Sequence, residues 1–239
     1  MSNELEIKGL HKAYGDRVLF NDFNLALPEG QITCILGPSG CGKTTLLNIL
    51  GGLTKPDSGL LNGFDNKTVS YIFQDPRLLP WKTVEENIAF VLDQSLPEAE
   101  KKKITGRFIR LVDLEGFADY YPAKLSGGMR QRVSIARAFA YPSGIILMDE
   151  PLKGLDITLK LNLIKAFSRI WSSDKRTVIF VTHDVEEALL LGDVIFVLSR
   201  SPVRLVAHEI VRTPISERSS DTGYLREIKE ILQKALGKE

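Results

Sequence analysis

Apolar and polar positions along this chain follow two periods, and the period changes twice. Leu5 to Pro28 reads as short strands broken at Gly15-Asp16, the pattern of an antiparallel sheet. Gln31-Ile32-Thr33-Cys34-Ile35-Leu36 is nearly all apolar and predicts a buried strand running into a glycine-rich turn. Leu46, Leu47 and Leu50 then share one side of a predicted helix over Thr44 to Leu50. Val69 to Phe73 is a further strand.

From Gln74 to Tyr141 the period becomes helical. Thr83-Val84-Glu85-Glu86 and Ser95-Leu96-Pro97-Glu98 both fit the capping box, in which a hydroxyl and a carboxylate each satisfy a free backbone N–H at a helix start. Ile104, Phe108 and Leu111 follow at helical spacing. The region reads as a helical insertion into a chain that otherwise alternates strand and helix.

Alternation then resumes. Gly144 to Asp149, Thr177 to Thr182 and Asp193 to Leu198 predict strands; Ile157 to Trp171 and Val185 to Leu191 predict helices. Strands that are apolar throughout and separated by helices imply a parallel sheet covered on both faces, hence an α/β protein. The charged tail from Ser216 to Glu239 carries one more predicted helix, Tyr224 to Leu236.

Composition narrows this picture. A length of 239 residues allows one large domain, or a domain with a subdomain. A net charge of +1 gives no long-range field for nucleic acid or anionic lipid. The apolar runs Gly144 to Met148 and Val194 to Leu198 fall far short of the roughly 18 residues of a membrane span. Met1 to Glu6 lacks the basic and apolar regions of a signal peptide. Two cysteines, Cys34 and Cys41, are too few for a disulfide framework. A cytosolic protein is expected, with any membrane association made through a partner.

The chemistry begins at Gly37-Pro38-Ser39-Gly40-Cys41-Gly42-Lys43-Thr44, which fits the phosphate-loop (P-loop) pattern G-x-x-x-x-G-K-[ST] between a strand and a helix. Glycines let successive N–H groups point inward at a helix N-terminus and form an anion nest. Lys43 can reach β- and γ-phosphates, and the Thr44 hydroxyl can ligate Mg²⁺. Thr45 follows in the same first turn. Cys41 reads as a small residue tolerated in the loop, and MgATP is expected to shield it from alkylation.

Asp149 and Glu150 end a buried strand at the sheet edge where open α/β folds bind ligands. Asp149 suits water-mediated Mg²⁺ binding, and Glu150 suits the general base for an attacking water. Gln74 also ends a strand; it is either an ordinary strand-end amide or a sensor of Mg²⁺ and γ-phosphate. His183, at the end of Thr177 to Thr182, is either structural or a γ-phosphate donor. Tyr14, beside the Gly15-Asp16 turn, either stacks on adenine or packs on the sheet.

Leu125-Ser126-Gly127-Gly128-Met129-Arg130-Gln131-Arg132 adds a second anion site. Ser126 stands in N-cap position, and Gly127-Gly128 expose N–H groups at a helix start. One small domain rarely wraps two such surfaces around one nucleotide, so two copies of the chain are expected to clamp ATP between them.

In order and spacing, Gly37 to Thr44, Gln74, Leu125 to Arg132, Asp149-Glu150, Asp156 and His183 resemble an ATP-binding cassette (ABC) transporter ATPase over nearly the whole chain. The resemblance implies a P-loop NTPase with a RecA-like core, an N-terminal antiparallel β subdomain and an inserted α-helical subdomain. The expected division of the single 1–239 domain is core plus antiparallel subdomain over 1–75 and 142–205, helical subdomain over 76–141, and a C-terminal strand and helix extension over 206–239. It further implies that the segment containing Leu125, Ser126, Gly127, Gly128 and Gln131 contacts the γ-phosphate held by the opposite subunit. Tyr14 falls at the family's adenine-stacking aromatic, Gln74 at its hinge glutamine and Mg²⁺ ligand, His183 at its switch histidine and Asp156 in its D-loop.

Two departures stand out. Lys153-Gly154 replace the usual Ser-Ala before Leu155-Asp156, which puts the cross-dimer contacts there in question, and the stretch Leu53 to Val69 is short enough to have trimmed a hairpin. Gln74 to Trp81 resembles importer ATPases for nitrate, sulfonates and taurine. That resemblance implies transmembrane permease subunits as partners together with a solute-binding protein, no nucleic acid, and a place at the cytoplasmic face of the membrane. Leu78, Leu79 and Trp81 either line a groove for a permease helix or pack within the helical region. The rival functions are a cassette acting on DNA or ribosomes, a P-loop small-molecule kinase or GTPase, and a non-hydrolysing binding module. Asn66-Lys67-Thr68-Val69 fails the guanine-reading pattern at its last position.

Overall fold

The structure, a computed structural model, describes residues 4–65, 67–218 and 223–237. Strands β1 (Glu4–Tyr14) and β2 (Arg17–Pro28) pair antiparallel, Tyr14 opposite Arg17, across the expected turn at Gly15-Asp16. The stretch after the first helix holds β4 (Ser58–Asn62), which pairs with the other edge of β1. This antiparallel sheet has three strands among the described residues, in the order β2-β1-β4.

The central sheet contains β3 (Ile32–Leu36), β5 (Val69–Ile72), β6 (Ile145–Asp149), β7 (Thr177–Thr182), β8 (Val194–Leu198) and β9 (Leu205–Ile210), in the order β5-β6-β7-β3-β8-β9. All neighbours are parallel except β9, which closes the edge antiparallel to β8. Side chains alternate between two cores, as a pleated strand requires. Ile35, Leu147, Ile179 and Val181 pack under the antiparallel sheet and α1 (Lys43–Leu50). Cys34, Ile146, Met148, Val178 and Phe180 face the helices on the other side. Double-sided burial explains why these strands lack polar alternation.

Between β5 and β6 the helical insertion holds α2 (Val84–Ala89), α3 (Glu98–Leu111) and α4 (Gly127–Ala140). The Thr83–Glu86 capping box forms as predicted. The Ser95–Glu98 box does not: Asp93 takes both the Ser95 N–H and its hydroxyl at 2.8 Å, and α3 starts from an N-cap at Pro97, which offers no side-chain acceptor. Asn87 organises the loop before α2. Its side chain is fully buried, accepts from Leu79 N at 2.8 Å and donates to the carbonyls of Leu79, Lys82 and Thr83.

Helices α5 (Ile157–Ser173) and α6 (Val185–Leu191) complete the cover. In the tail, α7 (Gly223–Leu236) buries Leu225, Ile228, Leu232 and Ala235 against the same core and reaches α6 through Lys229 and Glu186 at 2.7 Å. The region after 205 thus splits: β9 continues the central sheet, and α7 packs beneath it. No helix among the described residues is long and apolar enough to cross a membrane.

Candidate active site

Register brings the chemistry together. Leu36 pairs with Thr182, and Asp149 with Val181, so the carboxyl ends of β3, β6 and β7 lie level on one edge. The loop after β3, the acids after β6 and His183 after β7 therefore converge on one side of the sheet, the ligand-binding side of such folds.

The loop from Gly37 to Gly42 is anchored by Gly37 N–H donating to Thr182 O at 3.3 Å and by Cys41 N–H donating to Pro38 O at 3.3 Å. Gly42 has φ +117, and a Cβ there would lie 3.0 Å from Leu19, so only glycine fits the entry to α1. The N–H groups of Lys43, Thr44 and Thr45 start the helix and lack acceptors in a preceding turn. Lys43 is buried, with Nζ 2.7 Å from Gly37 O and 2.9 Å from Pro38 O. A cation thus stands at the centre of the loop, flanked by helix-start donors. Cys41 is buried, as is Cys34.

Thr44 Oγ1 donates to Asp149 Oδ1 at 3.0 Å. Burial raises the Asp149 carboxyl above the ordinary aspartate value and the Glu150 charge adds to this, while the Thr44 bond opposes it. Glu150 has φ +44, an uncommon conformation for a side-chain-bearing residue, held by its N–H on Val181 O at 3.0 Å. Its side chain is only 12 % exposed. Oε1 lies 3.1 Å from His183 Nδ1, and Oε2 lies 2.6 Å from Lys153 Nζ. The Lys153 contact is a close ion pair. Burial pushes the Glu150 carboxyl up, but hydrogen bonding and charge from Lys153 and His183 outweigh it and hold the group below its ordinary value.

A groove of about 390 Å³ opens over the phosphate loop and Glu150, with Asp149 and His183 outside its lining. Tyr14, Ser39, Gly40, Gly42, Lys43, Thr44, Thr45, Gln74 and Glu150 all line it. Tyr14 is 54 % exposed with the Lys12 ammonium 5.2 Å from its ring centre, so it faces the groove rather than packing inside the sheet.

The serine-glycine segment lies elsewhere. Ser126 caps α4, accepting from Met129 N at 3.3 Å, and it does not line the Lys43 groove. Leu125 is buried and its carbonyl accepts from Arg130 at 2.7 Å. Gly128 faces Leu159, and a Cβ there would come within 3.3 Å of it. Gly127 and Gln131 line a second groove of about 230 Å³, which shares Gln74 and Lys153 with the first. Gln131 is buried and its Nε2 has no hydrogen-bond partner. Asp156 is exposed and caps α5 by accepting from Leu159 N at 3.0 Å.

Some participants escape the sequence reading. Arg17 donates to Gly40 O at 2.8 Å and to Ser201 Oγ at 3.0 Å, pinning the phosphate loop from the β1–β2 hairpin. Arg137 donates to the carbonyls of Pro76 and Arg77 at 3.0 and 3.1 Å and so fastens α4 to the segment after Gln74. Lys160 lies 2.6 Å from Glu187 and 3.0 Å from Asp184, while Glu187 accepts from Thr182 Oγ1 at 2.7 Å, which fixes the turn carrying His183. The Arg17, Arg137 and Lys160 contacts are long-range contacts of ordinary surface-type residues, for which the sequence carries no local signal.

A phosphate loop, a level acidic strand end and an aromatic-rimmed groove together define a P-loop nucleotide-binding protein. Comparison with known proteins narrows the class. The ABC transporter family model matches residues 20–153. An ABC transporter ATP-binding protein of Methanocaldococcus jannaschii is 42% identical over 232 residues, covering 92% of this chain and 86% of that protein. The aliphatic sulfonates import ATP-binding protein SsuB of Bacillus cereus is 38% identical over 234 residues, covering 95% and 92%. Among solved structures, a dimeric ABC transporter cassette, MJ0796, aligns with TM-score 0.74 at 31% identity, over 87% of this chain and 99% of that one. The same cassette bound to ADP and Pi in a post-hydrolysis state aligns with TM-score 0.72 at 30% identity. This chain belongs to the ABC transporter family and is an ATP-binding cassette that hydrolyses ATP.

Proposed function

We propose that the chain is the ATPase subunit of a membrane importer, and that two copies close head to tail on two ATP molecules. The observation that carries this reading is the separation of the two phosphate-directed surfaces: Lys43 lines one groove, while Ser126 lies outside it and its neighbours Gly127 and Gln131 line another. A second protomer supplies the missing cap. The dimeric state of the aligned cassette supports the same reading.

In this reading Tyr14 stacks on adenine, and the backbone from Gly37 through Gly42, with Lys43, Thr44 and Thr45, holds the phosphates. Ser126, with Leu125, Gly127, Gly128 and Gln131, caps the γ-phosphate from the opposite chain, and Asp156 lies at that junction. Glu150 accepts the proton of the attacking water, and His183 steadies the γ-phosphate while bonding Glu150. Phosphoryl transfer of this kind relies on positioning and charge stabilisation.

Thr44 and Gln74 line the groove and Asp149 lies 3.0 Å from the Thr44 hydroxyl, an oxygen donor set that fits Mg²⁺ with substrate phosphate and water completing its shell. When bound there, the cation neutralises charge on the β- and γ-phosphates. Nucleotide that binds the closed dimer better shifts the population toward it.

Coupling to the membrane is assigned to the helical insertion. Trp81 is 69 % exposed beside the partly buried Leu78, with Phe90 and Tyr121 also exposed on that region. These apolar groups suit a cytoplasmic helix of separate permease subunits, which place the chain at the cytoplasmic face of the membrane. The likeness to the sulfonate importer subunit supports a small anionic solute delivered by a solute-binding protein. Co-purification of permease subunits from membranes with the tagged chain, followed by solute-stimulated ATPase assay in vesicles, tests the reading. Stimulation by a sulfonate or nitrate is expected; stimulation by DNA or ribosomes instead overturns it.

A further inference from the structure

We infer that Lys153 is a second γ-phosphate-binding cation, held on Glu150 until the nucleotide draws it off. The inference rests on the reading of the Lys43 groove as the ATP site. Lys153 occupies one of the positions where this chain departs from the pattern it otherwise resembles, so it is a property of this sequence.

Three observations converge. Lys153 lines the Lys43 groove together with Thr44, Gln74 and Glu150. Its ammonium lies 2.6 Å from Glu150 Oε2, while His183 takes the other carboxylate oxygen at 3.1 Å. With Tyr14 taken as the adenine end of the groove, Lys153 beside Glu150 is placed at the end where the γ-phosphate would lie. Local geometry keeps it there. Lys153 N–H donates to Glu150 O at 3.2 Å, closing a turn, and Gly154 follows at φ +76, a conformation that costs glycine little.

The latch is built to give way. The lysine side chain is 46 % exposed, so its ion pair with Glu150 is screened by solvent. A terminal phosphate carries roughly two negative charges and three acceptor oxygens, and outcompetes one carboxylate for the same ammonium. When Lys153 turns to the phosphate it leaves Glu150 with His183 alone.

The test measures affinities for a non-hydrolysable ATP analogue and for ADP, both with Mg²⁺, by calorimetry on the full chain at concentrations that keep it monomeric. For Lys153→Ala the analogue should weaken by about tenfold while ADP stays within about twofold, and Lys153→Arg should restore most of the difference. An unchanged analogue-to-ADP ratio in Lys153→Ala, or an equal loss of both ligands, overturns the inference. Lys43→Ala run alongside separates the two claims. If it too leaves both affinities intact, the groove is not the nucleotide site and the underlying reading fails; if it abolishes binding while Lys153→Ala changes nothing, only the role of Lys153 fails.

Discussion

His183 Nδ1 lies 3.1 Å from Glu150 Oε1, although 33 residues separate them along the chain. Neighbouring parallel strands end together, and each residue is the first beyond its strand, so the register of β6 on β7 sets the contact. This contact leaves Glu150 shielded from solvent and bonded to a histidine, the setting of the proposed catalytic base.

Glu150→Gln keeps the shape and the hydrogen-bonding capacity toward His183 but removes the basic oxygen. Hydrolysis should fall by roughly 10²–10⁴-fold with ATP affinity retained. Dimer should accumulate with ATP and dissolve with ADP on size-exclusion chromatography. A persistent monomer at saturating ATP contradicts the proposed closure.

Lys43→Ala removes the cation that bridges Gly37 O and Pro38 O. Charge-assisted bonds to phosphate disappear with it, and nucleotide affinity should drop by roughly 10–100-fold. Fluorescent-nucleotide titration checks this; unchanged affinity removes Lys43 from the site.

How much of this was legible in the sequence depends on range. The period of the apolar positions located β3, β6, β7 and β8 to within a residue or so, because burial on both faces leaves no polar alternation to confuse. The P-loop, the acids and the serine cap were legible because their chemistry is local. The strand β4 was not, since its residues are exposed or half-buried and its place is set by pairing with β1. The second capping box failed because Asp93, two residues upstream, competes for Ser95 more effectively than Glu98. Arg17, Arg137 and the Lys160–Glu187 pair depend on contacts across 23 to 184 positions, which no window of sequence contains. For Tyr14 the structure narrows the choice that local sequence left open, placing the ring on the groove wall.

Asn87→Ala should destabilise the helical insertion. It strips four hydrogen bonds from a fully buried side chain and leaves Leu79 N–H without its acceptor. A loss of about 2–3 kcal/mol is expected in chemical denaturation, with the slope m unchanged. A loss below about 0.5 kcal/mol shows that the loop reorganises around the gap.

Acid should weaken the packing of α5 on α6 through Asp184. Burial opposes its ionisation, yet Lys160 and the N–H groups of Glu186 and Glu187 hold its carboxyl below the ordinary aspartate value of 3.8. A depressed folded value means that the stabilisation is complete above the unfolded value and is lost as pH falls through the folded one. Wild type should therefore lose stability below about pH 4, and Asp184→Asn should start less stable but show a shallower acid slope. Parallel slopes in thermal melts from pH 5 to pH 3 remove Asp184 from the account.

The central claim is that each ATP is gripped by one protomer and capped by the other. A structure of Glu150→Gln crystallised with MgATP tests it most directly. The account predicts two nucleotides at the interface, each with Lys43 of one protomer and Ser126 of its twin within hydrogen-bond reach of the same γ-phosphate. Ser126 remote from every γ-phosphate, together with full turnover by dilute protomers of the unaltered chain, contradicts it.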